Sequence, residues 1–267
     1  MAGRLEGQVA LVTGASSGFG EAIALGLASE GAAVALVARS KDKLADLAAR
    51  IEAAGGRALA IPGDVTVRAD VEAAVAETER RLGAITLLVN NAGVPGPFGP
   101  IGAVDPDAWW AAQAIHVKAP LMFMGAVMPA MRASKRGRIV NVASMGAKLV
   151  RYAMSAYGVG KRAEVALTEH AALEGKDDGV FAFAIHPGLA STGMSDATLN
   201  DPDAQKWAPK MIATVKERQA QVDSAAGLKR CVEMCVDLGS GDYDALTGRF
   251  LFPEDDFDKL RAEAKSG

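Results

Sequence analysis

Ser144, Tyr157 and Lys161 are the residues in this 267-residue chain whose types and spacing point most directly to chemistry. The tyrosine follows the serine by thirteen positions, and the lysine follows the tyrosine by four. A serine hydroxyl polarises a carbonyl, a phenol carries a proton, and an ammonium makes that phenol easier to ionise. A free tyrosine titrates near pH ~10, so a neighbouring cation that favours phenolate is what makes proton exchange feasible at neutral pH. Four positions apart, Tyr157 and Lys161 share one face of a helix. The set suits proton transfer at a carbonyl or alcohol oxygen as that oxygen gains or loses charge. Alone, the same pair is better read as a surface helix that happens to carry both residues.

A glycine-rich turn at the other end of the chain weighs against the incidental pair. Gly14-Ala15-Ser16-Ser17-Gly18-Phe19-Gly20 follows an apolar strand at 8–13 and opens a helix at 18–30. Glycines permit the tight turn and a close backbone approach, and the helix N-terminus offers free N–H groups to a pyrophosphate. The second strand, 33–37, runs into Ala38-Arg39-Ser40. An acidic residue at that position accepts from both adenosine ribose hydroxyls, whereas an arginine pairs with a 2′-phosphate. Arg39 without a carboxylate predicts NADP(H) over NAD(H); a solvated strand cap is the other reading of Arg39. Asp64 and Val65 end the third strand, where the carboxylate would accept from the adenine amine. Asn90-Asn91-Ala92-Gly93 ends the fourth, where crevice-lining residues collect. Asn90 either lines that crevice or satisfies neighbouring backbone.

Strands with few charges alternate with amphipathic helices along most of the chain. Helices are expected at 41–54, 67–81, 107–133 and 154–174, and strands at 57–61, 86–90, 137–142 and 180–185. This alternation indicates an α/β, Rossmann-type, doubly wound and mostly parallel sheet with helices on both faces. After His186-Pro187-Gly188 the alternation stops for some thirty-five residues, and resumes with a helix at 224–238 and a strand at 246–251. A substrate lid over 189–223 is the natural reading of so long a connection, beside a surface excursion or an oligomer contact. The tail at 254–267 reads as solvated.

The chain is read as one cofactor-binding and catalytic domain, 1–267. Basic and acidic side chains number 29 and 32, a net charge of -3, which points to neither a nucleic-acid nor an anionic-membrane partner. The uncharged run at 84–104 is broken by Asn90, Asn91 and the glycines and prolines after them, so no spanning helix is expected there. The N-terminus has no apolar signal core, and a cytoplasmic location is expected. Cys231 and Cys235, four apart on a helix, are read as buried thiols; no metal set is seen.

Taken together, Thr13-Gly14-Ala15-Ser16-Ser17-Gly18-Phe19-Gly20, Asp64-Val65, Asn90-Asn91-Ala92-Gly93, Ser144, Tyr157-x-x-x-Lys161 and Pro187-Gly188 with Thr192 resemble the short-chain dehydrogenase/reductase family from residue 8 to residue 251. The resemblance implies a seven-stranded parallel sheet and a nicotinamide-dependent oxidoreductase with Ser144, Tyr157 and Lys161 as its catalytic residues. It also implies that Lys161 hydrogen-bonds the nicotinamide ribose and that Thr192, with backbone near Leu189, holds the carboxamide. A homotetramer or dimer, built in part from the long helices flanking the fifth strand, is implied as well.

One position departs from the family pattern. Where an asparagine usually completes a water-linked proton relay to the lysine, this chain has His116. Imidazole donates, accepts and holds water, so His116 either keeps the relay with an altered pH dependence or only supports a bend in the helix. Val94, Met145, Tyr152 and Met194, with the rest of 94–98, form a mainly apolar wall suited to a ketone or secondary alcohol with an apolar body. Lys148 and Arg151 are candidates for a carboxylate at the rim. An NAD(H)-dependent dehydrogenase of the same mechanism, and a cofactor-binding scaffold without turnover, are the competing functions.

Overall fold

Seven strands, β1 (Val9–Thr13), β2 (Ala33–Ala38), β3 (Arg57–Pro62), β4 (Leu87–Asn90), β5 (Gly137–Val142), β6 (Val180–Ile185) and β7 (Phe250–Leu251), pair in parallel in the order β3-β2-β1-β4-β5-β6-β7. The structure is a computed structural model describing residues 3–221 and 223–266; positions 1, 2, 222 and 267 of the expected 1–267 domain lie outside it. Strands such as VALVT and AVALVA are buried along their whole length because helices cover both faces, which is why they read as continuous apolar runs.

On one face lie α1 (Gly18–Ser29), α2 (Lys41–Ala53) and α10 (Ser224–Ser240), whose Ile23, Leu27, Leu44, Leu47 and Met234 pack with Val34 and Leu36. On the other, α3 (Arg68–Leu82), α5 (Ala119–Ser134) and α6 (Ser155–Gly175) bury Val71, Phe123, Val127, Met131 and Ala172 against Leu11, Leu88 and Ile139. Each of the larger side chains among these contributes about 2 kcal/mol. Strand order reverses between β1 and β4, so the loops leaving their C-terminal ends diverge and open a crevice there.

Several expectations are refined. The helix expected at 107–133 is α4 (Pro106–Gln113), a π turn (Ala114–Lys118) and α5 in one run. That run, Pro106–Ser134, is long and apolar enough to cross a membrane by length and composition, unlike the 84–104 segment singled out in the sequence. It packs along α3 and α6 here. The 189–223 connection is not irregular: it holds α7 (Gly193–Asn200), α8 (Pro202–Trp207) and α9 (Pro209–Gln221). β7 is two residues long, because a 3₁₀ turn (Asp244–Leu246) occupies the start of the strand expected at 246–251. The tail is not simply solvated, since α11 (Phe257–Ser266) buries Phe257 in the core beneath α10. Cys231 and Cys235 are buried free thiols.

Candidate active site

The crevice is built around the turn after β1. Gly14 and Gly18 adopt φ of 65° and 58°, which glycine tolerates without strain. A Cβ on Gly14 would lie 2.9 Å from Ala92 Cα, and one on Gly20 would lie within 3 Å of both Gly14 carbonyl atoms and the Asn91 amide. The turn and the Asn91-Ala92-Gly93 segment therefore meet backbone to backbone. Thr13 holds them together: its Oγ1 accepts from the N–H groups of Asn91 (2.9 Å) and Ala92 (3.1 Å), while Asn91 Nδ2 donates to the Thr13 carbonyl at 3.0 Å. Asn91 thus braces the cradle with its side chain. Asn90 faces away from the crevice and donates to Asn141 Oδ1 at 2.8 Å inside the sheet.

Ser17 caps α1 in extended conformation without a side-chain cap bond, leaving its hydroxyl and the first-turn N–H groups of Gly18, Phe19 and Gly20 at the crevice. Ser16 lies in the same turn, and Phe19 packs onto the core below. Thr192 comes across from the loop after β6: its Cγ2 lies 3.2 Å from where a Cβ on Gly18 would be. Pro187, Gly188 (φ 87°) and Leu189 form that loop, held where His186 N–H donates to the Leu251 carbonyl. At the end of β2, Arg39 is exposed and makes no salt bridge among the described residues. Asp64 stands near enough to feel its charge. The N–H and hydroxyl of Thr66 hold the Asp64 carboxyl below the usual carboxylate range, and Arg39 adds to that effect. Val65 follows in the same turn.

Ser144, Tyr157 and Lys161 converge beyond β5. Ser144 Oγ accepts from Gly146 N–H at 3.1 Å, which leaves its own O–H proton to donate. Gly146 lies against the Tyr157 ring, where a Cβ would stand 2.9 Å from Tyr157 Cε1. Lys161 is buried and donates to the Val142 carbonyl at 2.7 Å and to Glu164 Oε2 at 2.8 Å. An ammonium has three donors, so one N–H remains.

His116 sits in the π turn, fully buried and edge-on to Tyr157. Its Nε2 lies 3.0 Å from the Val94 carbonyl; because a carbonyl only accepts, the proton is on Nε2 and Nδ1 keeps a lone pair. Burial, reinforced by the charge of Lys161, depresses its pKa to about 3. The ring is therefore neutral at physiological pH and offers only an acceptor to a relay. Met194, from α7, closes over Gly93 beside it. Val94 and Met145 lie half-buried at the same mouth, whereas Tyr152 is 69% exposed and belongs to the rim. Lys148 is not poised for a carboxylate, since its Nζ stands 4.3 Å over the Phe252 ring.

Two site residues escape a motif reading. Glu164, one helical turn beyond Lys161, looks like any charged helix residue but is completely buried. Gly160 is the second: a Cβ there would lie 2.8 Å from His116 Cβ and 3.0 Å from Gln113 Oε1. The visible signal is two glycines, Gly158 and Gly160, inside a helix, where each costs about 1 kcal/mol.

Residues 8–203 match the family model for short chain dehydrogenases. A short chain dehydrogenase of Pseudocercospora fijiensis is 31% identical over 98% of this chain and 85% of its own length. The 2-(S)-hydroxypropyl-CoM dehydrogenase 3 of Xanthobacter autotrophicus is 34% identical over 80% of this chain and 84% of that protein. A gluconate 5-dehydrogenase from Burkholderia cenocepacia, solved with NADP and tartrate, superposes with a TM-score of 0.79 at 32% identity, covering 93% of this chain and 94% of that one. Sequence and fold agree, and the chain belongs to the short-chain dehydrogenase family of oxidoreductases.

Proposed function

We propose that this oxidoreductase interconverts a ketone and a secondary alcohol with a mainly apolar body, using NADP(H). The observation that carries the reading is the meeting of Ser144 Oγ and the Tyr157 ring at Gly146, with Lys161 buried one helical turn beyond. The glycine cradle, the uncapped N-terminus of α1 and Thr192 opposite it fit a dinucleotide. Exposed Arg39 at the end of β2 supports a 2′-phosphate over a bare ribose, and the NADP-bound Burkholderia cenocepacia structure supports the same choice. The chemistry such a cofactor supplies when bound is two-electron transfer as hydride.

The chain's own residues handle the oxygen and its proton. In reduction, Ser144 donates a hydrogen bond to the carbonyl oxygen as negative charge develops, and Tyr157 O–H delivers the proton that completes the alcohol. Lys161 stabilises the phenolate left behind and has one N–H to offer the ribose. In oxidation the phenolate accepts the alcohol proton. His116, neutral and buried, fixes the π turn against Val94 and contributes an acceptor at Nδ1.

Helices α7 to α9 act as the substrate lid, with Met194 over Gly93. Leu121 on α5 and Leu173 on α6, 54% and 65% exposed, support self-association into a tetramer or dimer through these helices. Parallel fluorescence titrations with NADPH and NADH, followed by a ketone panel, test the reading. Tighter NADPH binding with turnover of apolar ketones is expected. Equal affinities would overturn the cofactor choice, and binding without turnover on any carbonyl would favour a scaffold.

A further inference from the structure

Glu164 has a burden no other carboxylate among the described residues carries. It is completely buried, its Oε2 accepts only from Lys161, and its Oε1 makes no hydrogen bond among the described residues. Burying a carboxylate is costly even when paired, and removing one partner of a buried pair costs more still. The pair also stands where its charge matters, because Lys161 lies one helical turn from Tyr157. The α6 backbone below is fixed by Thr168 Oγ1, which donates to the Glu164 carbonyl at 2.8 Å and accepts from Asn141 Nδ2 at 2.8 Å.

We propose that Glu164 is a positioning residue for the catalytic lysine: its carboxylate holds the ammonium against the end of β5 and offsets its charge, setting how strongly Lys161 favours the Tyr157 phenolate. This rests on Tyr157 serving as the acid–base residue. Lys161 then gives one donor inward to the Val142 carbonyl and one sideways to Glu164, and keeps a third. The groups facing the pair are few. The π turn presents neutral His116, α4 presents the amide of Gln113, and α6 itself presents Tyr157. β6, VFAFAI, has no ionisable side chain, and the only one on β5, Arg138, is tied to Asp244 at the opposite end of the sheet. Arg132, the only ionisable residue of α5, is paired with Asp178. Lys118 of the π turn donates to the Thr66 carbonyl and Arg162 of α6 to the Ala147 carbonyl, so among the described residues no second cation pairs with Glu164 and no second carboxylate with Lys161. Burial raises the Glu164 pKa to about 7, so the offset is present above neutrality and fades below it.

The test uses absorbance and needs no substrate. The chain has three tyrosines, so the ultraviolet difference between the protein and its Tyr157→Phe variant on raising pH reports Tyr157 alone. The titration is run on the NADP⁺ complex, for Glu164→Gln against Glu164→Gln/Tyr157→Phe as well as for the parent pair. With the offset removed, the Tyr157 midpoint is expected to fall by about one pH unit, the size of a nearby-charge effect. Glu164→Asp, which keeps the charge, is expected to recover most of the parent midpoint. A Glu164→Gln midpoint indistinguishable from the parent's in a folded, cofactor-binding protein would overturn the proposal. Glu164→Leu, apolar and of similar size, is the second route if Glu164→Gln does not fold. Failure of both to fold would also overturn it and leave Glu164 a purely structural residue. If Tyr157→Phe retained full carbonyl turnover, the acid–base reading would fail instead, and the midpoints would still report on Glu164.

Discussion

The His116 and Tyr157 rings stand edge to face, centroids 5.5 Å apart and planes at 90°, with the imidazole proton directed away from the phenol to the Val94 carbonyl. A ring held neutral this way must be charged on acidification. Its folded pKa of about 3 lies below the unfolded value of 6.5, so the folded state binds fewer protons between them, and stability is lost as pH falls through that window. Glu164, raised from 4.5 to about 7, acts oppositely between those values, which makes the parent protein's own curve shallow there. His116→Asn removes one side of this balance. Urea unfolding at pH 6.5 and pH 5 should show the variant gaining about 1.6 kcal/mol on the parent protein over that interval. A constant difference would mean that His116 is not held neutral.

Gly160 and His116 share one space. Gly160→Ala should destabilise the protein by about 1–3 kcal/mol through overpacking against His116, whose Cβ would lie 2.8 Å from the added methyl. His116→Gly in the same chain, which removes the Cβ as well as the ring, should recover at least about 1 kcal/mol of that. Additive losses in a double-mutant cycle would show that the two do not press on each other.

In the proposed function Arg39 carries the cofactor preference. Arg39→Ala should weaken NADPH binding by roughly 10- to 100-fold, the loss of a charge-assisted bond, while leaving NADH within about twofold. Affinities measured by nicotinamide fluorescence decide this, and a parallel loss for both cofactors would refute a phosphate contact.

If α7 to α9 form the proposed lid, Phe98 is its anchor. Buried with Ala204 of α8 and Ile212 of α9, it belongs to a small cluster separate from the two faces of the sheet. Phe98→Ala should cost roughly 3 kcal/mol at that cluster. Hydrogen exchange should therefore speed up in α7 to α9 while β1, β4 and β5 stay protected. Uniform acceleration across the sheet would contradict a separately held lid.

The sheet and the crevice were legible because their signals are local. Apolar runs mark the strands, glycines mark the turn, and the Tyr157-to-Lys161 spacing marks a helical face. The lid helices were harder, because eight, six and thirteen residues bury only small apolar faces. Asp201-Pro202 was nonetheless a readable helix start, with the Asp201 carboxylate accepting from Ala204 N–H at 2.8 Å. Glu164 and Gly160 were not legible, since burial depends on strands distant in sequence. The π turn depends likewise on His116 finding Val94. Asn90, with two readings open, went to Asn141 on β5, fifty-one residues away.

The strand order also determines how the chain is made. A ribosome delivers residues 9–62 first, and β1, β2 and β3 can pair among themselves as they emerge. The other edge of β1 stays bare until Leu87, Leu88 and Val89 arrive to take their register against Ala10, Leu11 and Val12. For that interval the nascent chain carries an open, apolar β edge of the kind that recruits other chains. Closing it brings Asn91 and Ala92 to Thr13, so the step that protects the growing polypeptide from aggregation is also the step that completes the dinucleotide cradle.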